Sequence, residues 1–347
     1  MKNLLLKTKY TLLTLSLLLI ALLVTGCNKE NNYETLDSGH NQEIGPEEKD
    51  EKIDINIAAL KGPTGIGMVK IMEDAANKET SNNYNFLIAG EADEISTGLI
   101  KGEIDIAAIP CNLASVLYNK TEGQIKIMGI NTLGVLYIVE TGESINSIED
   151  LKGKTIYSTG YGTTPQYTLN YLLSLYGLDP DKDLNIEYKT EATEVAALLE
   201  NSHDAIAMLP QPFVTTVMMK NENVRIALDI DKEWNKQNNN GGVVTGVVVV
   251  NKDFLEKNPE AVDLFLREYK DSAEYVNKNI DKAAELVEKY GLFKAAVAKA
   301  AIPYCNITFI GGSKMKEKVE AYLNILYNQN PNSVGGALPG EDFYYIP

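Results

Sequence analysis

Lys154-Thr155-Ile156-Tyr157-Ser158-Thr159 runs straight into Gly160-Tyr161-Gly162-Thr163-Thr164, and Pro165 follows. The first six residues read as a strand, the two glycines as a loop, and Pro165 suits the first turn of a helix. Leu169, Leu172, Leu173 and Tyr176 then recur at helical spacing until Gly177 closes the helix. Residues 185–189 form the next strand, Val195, Leu198 and Leu199 mark a second helix, and Asp204-Ala205-Ile206-Ala207-Met208-Leu209 is a strand ending at Pro210. Strands that alternate with helices in this way imply a parallel sheet.

The same order occurs about a hundred residues earlier. Ile53-Asp54-Ile55-Asn56-Ile57 alternates with period two and leads into Lys61-Gly62-Pro63-Thr64-Gly65-Ile66-Gly67, after which Met68, Val69, Met72 and Ala76 follow helical spacing with Thr64 as the expected N-cap. A strand at 84–89, a short helix around Ile95 and Leu99 stopping near Gly102, and Ile104-Asp105-Ile106-Ala107-Ala108-Ile109 ending at Pro110 complete the unit. Glu94-Ile95 corresponds to Glu194-Val195, Leu99 to Leu199, Ile106-Ala107 to Ile206-Ala207 and Pro110 to Pro210. The expectation is an α/β protein with two Rossmann-like lobes. Ligands of open α/β sheets sit beyond the carboxyl ends of the strands. The edges carrying loop 62–67 with Pro110-Cys111-Asn112, and loop 160–164 with Pro210-Gln211-Pro212, should therefore face each other across a cleft.

Two β-branched runs interrupted by glycine, at 134–139 and 241–250, flank the second unit. They read either as strands crossing between lobes with a glycine hinge, or as plain core strands. Beyond Asn251 the apolar spacing is helical and should pack back onto the first lobe. Lobe one is expected at 53–136 and 246–347, and lobe two at 137–245.

Lys2, Lys7 and Lys9 precede an apolar run at 11–24, which is shorter than the ~20 residues that span a bilayer. Residues 1–26 read as a signal peptide. Val24-Thr25-Gly26-Cys27 resembles the lipobox of bacterial lipoproteins, which implies acylation of Cys27 and anchorage at the outer face of the cell membrane. Residues 27–52 are polar and acidic and read as a disordered tether. Loss of the leader removes three lysines and leaves 29 basic against 48 acidic residues, a net charge of −19.

The 347 residues carry a net charge of −16 and only two arginines, Arg225 and Arg267, so nucleic-acid binding is excluded as a function class. The two histidines are His40, in the tether, and His203, in a polar turn. They assemble neither a nucleophilic dyad nor a histidine-rich metal site, and no cofactor or metal is expected. Cys111 and Cys305 read as two buried free thiols, a disulfide being the alternative in an oxidising compartment.

Ser147-Ile148-Glu149-Asp150-Leu151-Lys152-Gly153-Lys154-Thr155-Ile156 resembles the opening of the second lobe in substrate-binding proteins of the nitrate, sulfonate, taurine and thiamine-precursor importers. Tyr176-Gly177-Leu178-Asp179-Pro180, Gly102-Glu103-Ile104-Asp105-Ile106-Ala107 and Asn258-Pro259-Glu260-Ala261-Val262 resemble further segments of that family. The resemblance implies a two-lobed periplasmic-binding-protein-like fold of type II and delivery of a small molecule to the permease of an ATP-driven (ABC) importer. The duplicated strand edges and the two glycine-bearing runs lead to the expectation of a monomer that closes on its ligand. It also brings a second reading, since the fold recurs in enzymes of pyrimidine and menaquinone biosynthesis.

Candidate contacts follow from the loops. Helix N-termini carry unpaired N–H groups, and glycine admits close backbone approach, which points to Thr64 and Gly65 in one lobe and Thr163 and Thr164 in the other. Cys111, Asn112 and Gln211 follow strand-ending prolines, and the two amides both donate and accept. Tyr161 is placed to stack on a ring, and Lys61 is the nearest cation to the cleft. Without an arginine clamp the expected ligand is a small heteroaromatic or thiamine-precursor-like compound, with an alkanesulfonate or related anion second.

Overall fold

The computed structural model describes residues 52–238 and 242–347. The leader, Cys27, His40 and nearly all of the tether lie outside the described residues.

The first βαβαβ unit consists of β1 (Asp54–Leu60), α1 (Pro63–Ile66), α2 (Val69–Ala76), β2 (Asn83–Ala89), α3 (Ala92–Lys101) and β3 (Ile106–Pro110), extended by α4 (Cys111–Lys120) and β4 (Ile125–Thr132). The second unit comprises β5 (Leu136–Thr141), β6 (Thr155–Ser158), α5 (Thr164–Leu175), β7 (Asn185–Tyr188), α6 (Ala192–Asn201), β8 (Ile206–Pro210), α7 (Phe213–Lys220), β9 (Val224–Asp229) and α8 (Ile230–Gln237). The chain returns in β10 (Gly246–Asn251) and ends with α9 (Lys252–Lys257), α10 (Pro259–Lys278), α11 (Ile280–Lys289), α12 (Ala295–Ala301), β11 (Ile307–Ile310) and α13 (Gly312–Gln329).

Two sheets result, ordered β11-β4-β10-β3-β1-β2 and β9-β5-β8-β6-β7. The pseudo-repeat is structural: β1 lies parallel between β2 and β3, as β6 does between β7 and β8. Ile57 pairs with Ile106 as Ile156 pairs with Ile206. The architecture is the two-lobed α/β fold of type II that the sequence implied.

Four details differ from the sequence reading. The sheets are mixed rather than purely parallel, because the passages between them enter as antiparallel strands, β10 in the first sheet and β5 in the second, and β11 adds a further antiparallel strand to the first. The two glycine-bearing runs do not cross as strands. Their strand portions lie within single sheets, and the passages are the non-strand links 133–135 and 242–245. Val247, Val248, Val249 and Val250 of β10 are fully buried, as befits a strand covered on both faces. The first helix is broken into α1 and α2, with Gly62 and not Thr64 at the N-cap. The segment after Asn251 is not wholly helical, since β11 joins the first sheet at its edge.

Nor does that last segment pack on the first sheet alone. Tyr322 of α13 accepts or donates a hydrogen bond with Thr168 of α5 at 2.8 Å and lies 5.5 Å, ring to ring, from Trp234 of α8. One apolar cluster therefore runs from Ile127 and Val249 in the first sheet through Tyr322 and Leu326 to Trp234 and Leu172 around the second.

Candidate functional site

A cavity of about 340 Å³ is lined from both sheets, at the ends where the parallel strands stop. After β1 come Lys61, Gly62, Pro63 and Thr64, after β2 the segment 90–93, and at the end of β3 Pro110. The second sheet supplies the equivalent set: 159–161 and 163–165 after β6, Lys189 and Thr190 after β7, and Pro210 with Phe213 after β8. Val135 and Thr245, from the two passages between the sheets, and the adjoining strand ends Thr132, Leu136 and Gly246 also line it, as do Leu60 and Ala192. The volume falls at the low end of the range of about 300–1,000 Å³ typical of small-molecule sites. A second hollow of about 640 Å³, lined by Asn56, Asn85, Leu87, Thr97 and Glu103 among others, draws on the first sheet and α3 and on nothing from the second sheet.

Of the residues singled out in the sequence, Thr64, Tyr161, Thr163 and Thr164 line the cavity, together with Lys61. The Thr64 hydroxyl donates back to Leu60 O at 2.9 Å, fixing the loop onto the end of β1. Thr163 is the N-cap of α5, and its hydroxyl donates to Gly160 O at 2.8 Å. Tyr161 is 73% exposed and meets Tyr188 edge-on at 5.3 Å. Burial, and then the neighbouring Tyr161, push the Tyr188 phenol well above its ordinary range.

Gly65, Cys111, Asn112 and Gln211 do not line the cavity. Gly65 is packed so closely that a Cβ would stand 2.9 Å from Leu60 O and 3.1 Å from Leu292 Cδ2. Cys111 is fully buried, which pushes its thiol far up, and Cys305 is buried in a separate apolar cluster; both thiols are free. The Asn112 amide donates to Gly162 O at 3.2 Å and to Ser333 O at 2.9 Å, and accepts from Thr164 Oγ1 at 3.2 Å. Gln211 accepts from the Thr215 amide at 3.2 Å and the Thr215 hydroxyl at 2.8 Å, so it caps α7. These amides hold the walls together from behind.

The lobes touch at the rim. A Cβ on Gly90 would lie 2.8 Å from Glu191 Oε1, and Phe213 meets Phe293 edge-on at 5.1 Å. Gly90 and Glu191 belong to equivalent loops of the repeat, after β2 and β7, a pair that the hundred-residue correspondence would have revealed had it been carried to every strand end. Thr132 and Thr245 carried no such signal.

Electrostatically the lining is balanced. Lys61 and Lys189 stand against Glu91 and Asp93, and neither arginine is present. Lys61 Nζ sits 5.9 Å from the centre of the Phe293 ring, and Lys189 Nζ lies 3.3 Å from Glu187. Arg225 is engaged elsewhere, with Glu140, Gly142 and Ile145. No group of residues suited to holding a metal occurs among the described residues.

Residues 124–283, under half of the chain, match the family model described as NMT1/THI5 like. An ABC transporter structure from Parabacteroides distasonis superposes with a TM-score of 0.69 and 24% identity, over 86% of this chain and 99% of that one. The alkanesulfonate-binding protein of Xanthomonas axonopodis pv. citri, bound to MOPS, gives 0.69 with 12% identity over 86% and 99%. The periplasmic aliphatic sulphonate binding protein of Escherichia coli gives 0.65 with 14% identity over 82% and 96%. The fold is that of the periplasmic binding proteins. Within this periplasmic-binding-protein fold, the NMT1/THI5-like match takes in the whole second sheet together with β4 and β10. It agrees with the importer resemblance seen in the sequence. No curated protein matches the chain.

Proposed function

We propose that the protein is a lipid-anchored solute-binding protein of an ABC importer, which captures a small molecule in the cavity between its two sheets and presents it to a permease. The observation that carries this reading is the cavity itself: it takes lining from the carboxyl ends of parallel strands in both sheets, the position where open α/β sheets bind ligands. In this reading Cys27 carries the lipid, residues 27–52 are the tether, and lobes at 53–136 with 246–347 and at 137–245 close as a monomer on the ligand. The function is binding and transport rather than turnover. No helix among the described residues is long and apolar enough to cross a membrane.

The ligand is an uncharged heteroaromatic of thiamine-precursor type. A lining with two lysines, two acids and no arginine supplies no net charge for an anion. An alkanesulfonate is the second reading, favoured by the opening of α5 onto the cavity at Thr163, Thr164 and Pro165. Thermal-shift measurement against thiamine's aminopyrimidine alcohol, other small azines and alkanesulfonates separates the two. Stabilisation by the azines is expected. Stabilisation by sulfonates alone, fading with salt, would establish the second reading, and conversion of any of these compounds by the purified protein would move it to the enzymes of this fold.

A further inference from the structure

The floor of the cavity lies where β4 and β10 run out together. Their ladder is irregular there: Gly246 faces Thr132 but Val247 faces Ile130, so Asn131 is left over as a bulge. Bulges of this kind re-aim side chains beside functional sites. Gly246 is confined to glycine at this point, since a Cβ would lie 2.5 Å from Asn131 Oδ1 and 3.0 Å from Thr64 Cγ2.

Four polar atoms around this bulge have no hydrogen-bond partner among the described residues: Asn131 Nδ2 and Oδ1, Thr132 Oγ1 and Thr245 Oγ1. Asn131 and Thr132 are each 1% exposed. The fully buried Tyr269 hydroxyl faces the Asn131 amide, and neither residue lines the cavity. The backbones are fixed, with Thr245 N donating to Thr132 O at 3.1 Å and Cys111 N to Thr245 O at 3.1 Å. Thr132, Thr245 and Gly246 all line the cavity. A buried polar group without a partner is costly to keep, and here two such hydroxyls, of Thr132 and Thr245, belong to residues that line the cavity, with Asn131 behind them.

We propose that Thr132 and Thr245, set on the bulge at Asn131, form a polar floor that receives the uncharged head of the ligand, one that presents donor and acceptor atoms side by side. The two hydroxyls each donate and accept, and neither carries charge, so the floor matches an amino-azine edge better than a sulfonate. This inference rests on the reading of the cavity as the binding site.

The test uses Thr132→Val and Thr245→Val, singly and together, because valine keeps the shape and removes the hydroxyl. Melting temperature without ligand, and calorimetric titration with thiamine's aminopyrimidine alcohol and with ethanesulfonate, are measured on the wild type and variants. The double variant should melt at or above the wild-type temperature, having lost unpaired hydroxyls, and should bind the aminopyrimidine at least about tenfold more weakly. A lower melting temperature would show that the hydroxyls are structural and overturn the floor. Equal binding of the aminopyrimidine by wild type and double variant would overturn it while leaving the cavity reading intact, as would preference of the wild type for ethanesulfonate. A wild type that binds neither probe removes the cavity reading for these ligand classes, and the floor with it.

Discussion

Asn112 Oδ1 accepts a hydrogen bond from Thr164 Oγ1 at 3.2 Å, joining the start of α4 in the first lobe to the start of α5 in the second. The same side chain donates to Gly162 and to Ser333, so one fully buried amide ties α4 to two other segments, 162–164 and the one carrying Ser333. Asn112→Ala leaves the Thr164 hydroxyl and two carbonyls without that partner and should cost about 1–3 kcal/mol of stability. Urea unfolding checks this; an unchanged midpoint and slope would show that the contact carries no energy.

Gly134, on the first passage between the sheets, presses on Asp231 at the start of α8. A Cβ there would lie 2.3 Å from the Asp231 carboxylate, which is held by Val243 N at 2.9 Å and Asn235 Nδ2 at 3.1 Å and cannot easily yield. Gly134→Ala should destabilise by about 1–3 kcal/mol through overpacking. Combining it with Asp231→Gly, which removes the Asp231 Cβ as well as its carboxylate, should cost clearly less than the sum of the single effects, because the second change removes the clash. Strict additivity in the double-mutant cycle would contradict the contact.

Within the two repeat units the order of elements was legible in the sequence, because strand and helix periods alternate cleanly and each unit supplies a second copy of the other; β4, β9 and β11 lie outside the repeat and were not read. The rule that ligands sit past strand ends led to Thr64, Tyr161, Thr163 and Thr164, and these four line the cavity. Asn112 and Gln211 obey the same rule yet turn their amides to protein partners, a choice made by Ser333 and Thr215 that no local pattern records. The polar floor escaped notice for a related reason. Asn131 is set apart only by the pairing of β4 with β10, strands more than a hundred residues apart, and the contact of Tyr322 with Thr168 is likewise purely tertiary.

Glu140 predicts a dependence on pH. It is 2% exposed and accepts from Ile145 N at 3.0 Å and from Ser144 N and Oγ at 3.1 and 2.8 Å, with Arg225 alongside. Burial pushes its carboxyl upward, but the bonds from Ile145 and Ser144 and the Arg225 charge outweigh that and hold it below the ordinary value. A carboxyl whose pKa is lower folded than unfolded stabilises fully above the unfolded pKa and loses that contribution as pH falls through the folded one. Glu140→Gln should therefore cost about 1–3 kcal/mol near neutral pH. The gap to the wild type should shrink below about pH 4. A gap independent of pH in urea titrations would contradict the assignment.

The binding of a small molecule between the two sheets is tested most directly by hydrogen–deuterium exchange, with and without the compound that most raises the melting temperature. Exchange should slow together at loops 60–64 and 90–93 of the first lobe, 159–165 and 189–192 of the second, and 132–136 with 245–246 between them. Protection confined to one lobe, or appearing instead around Asn56, Asn85 and Glu103 in the hollow on the first sheet, would contradict it.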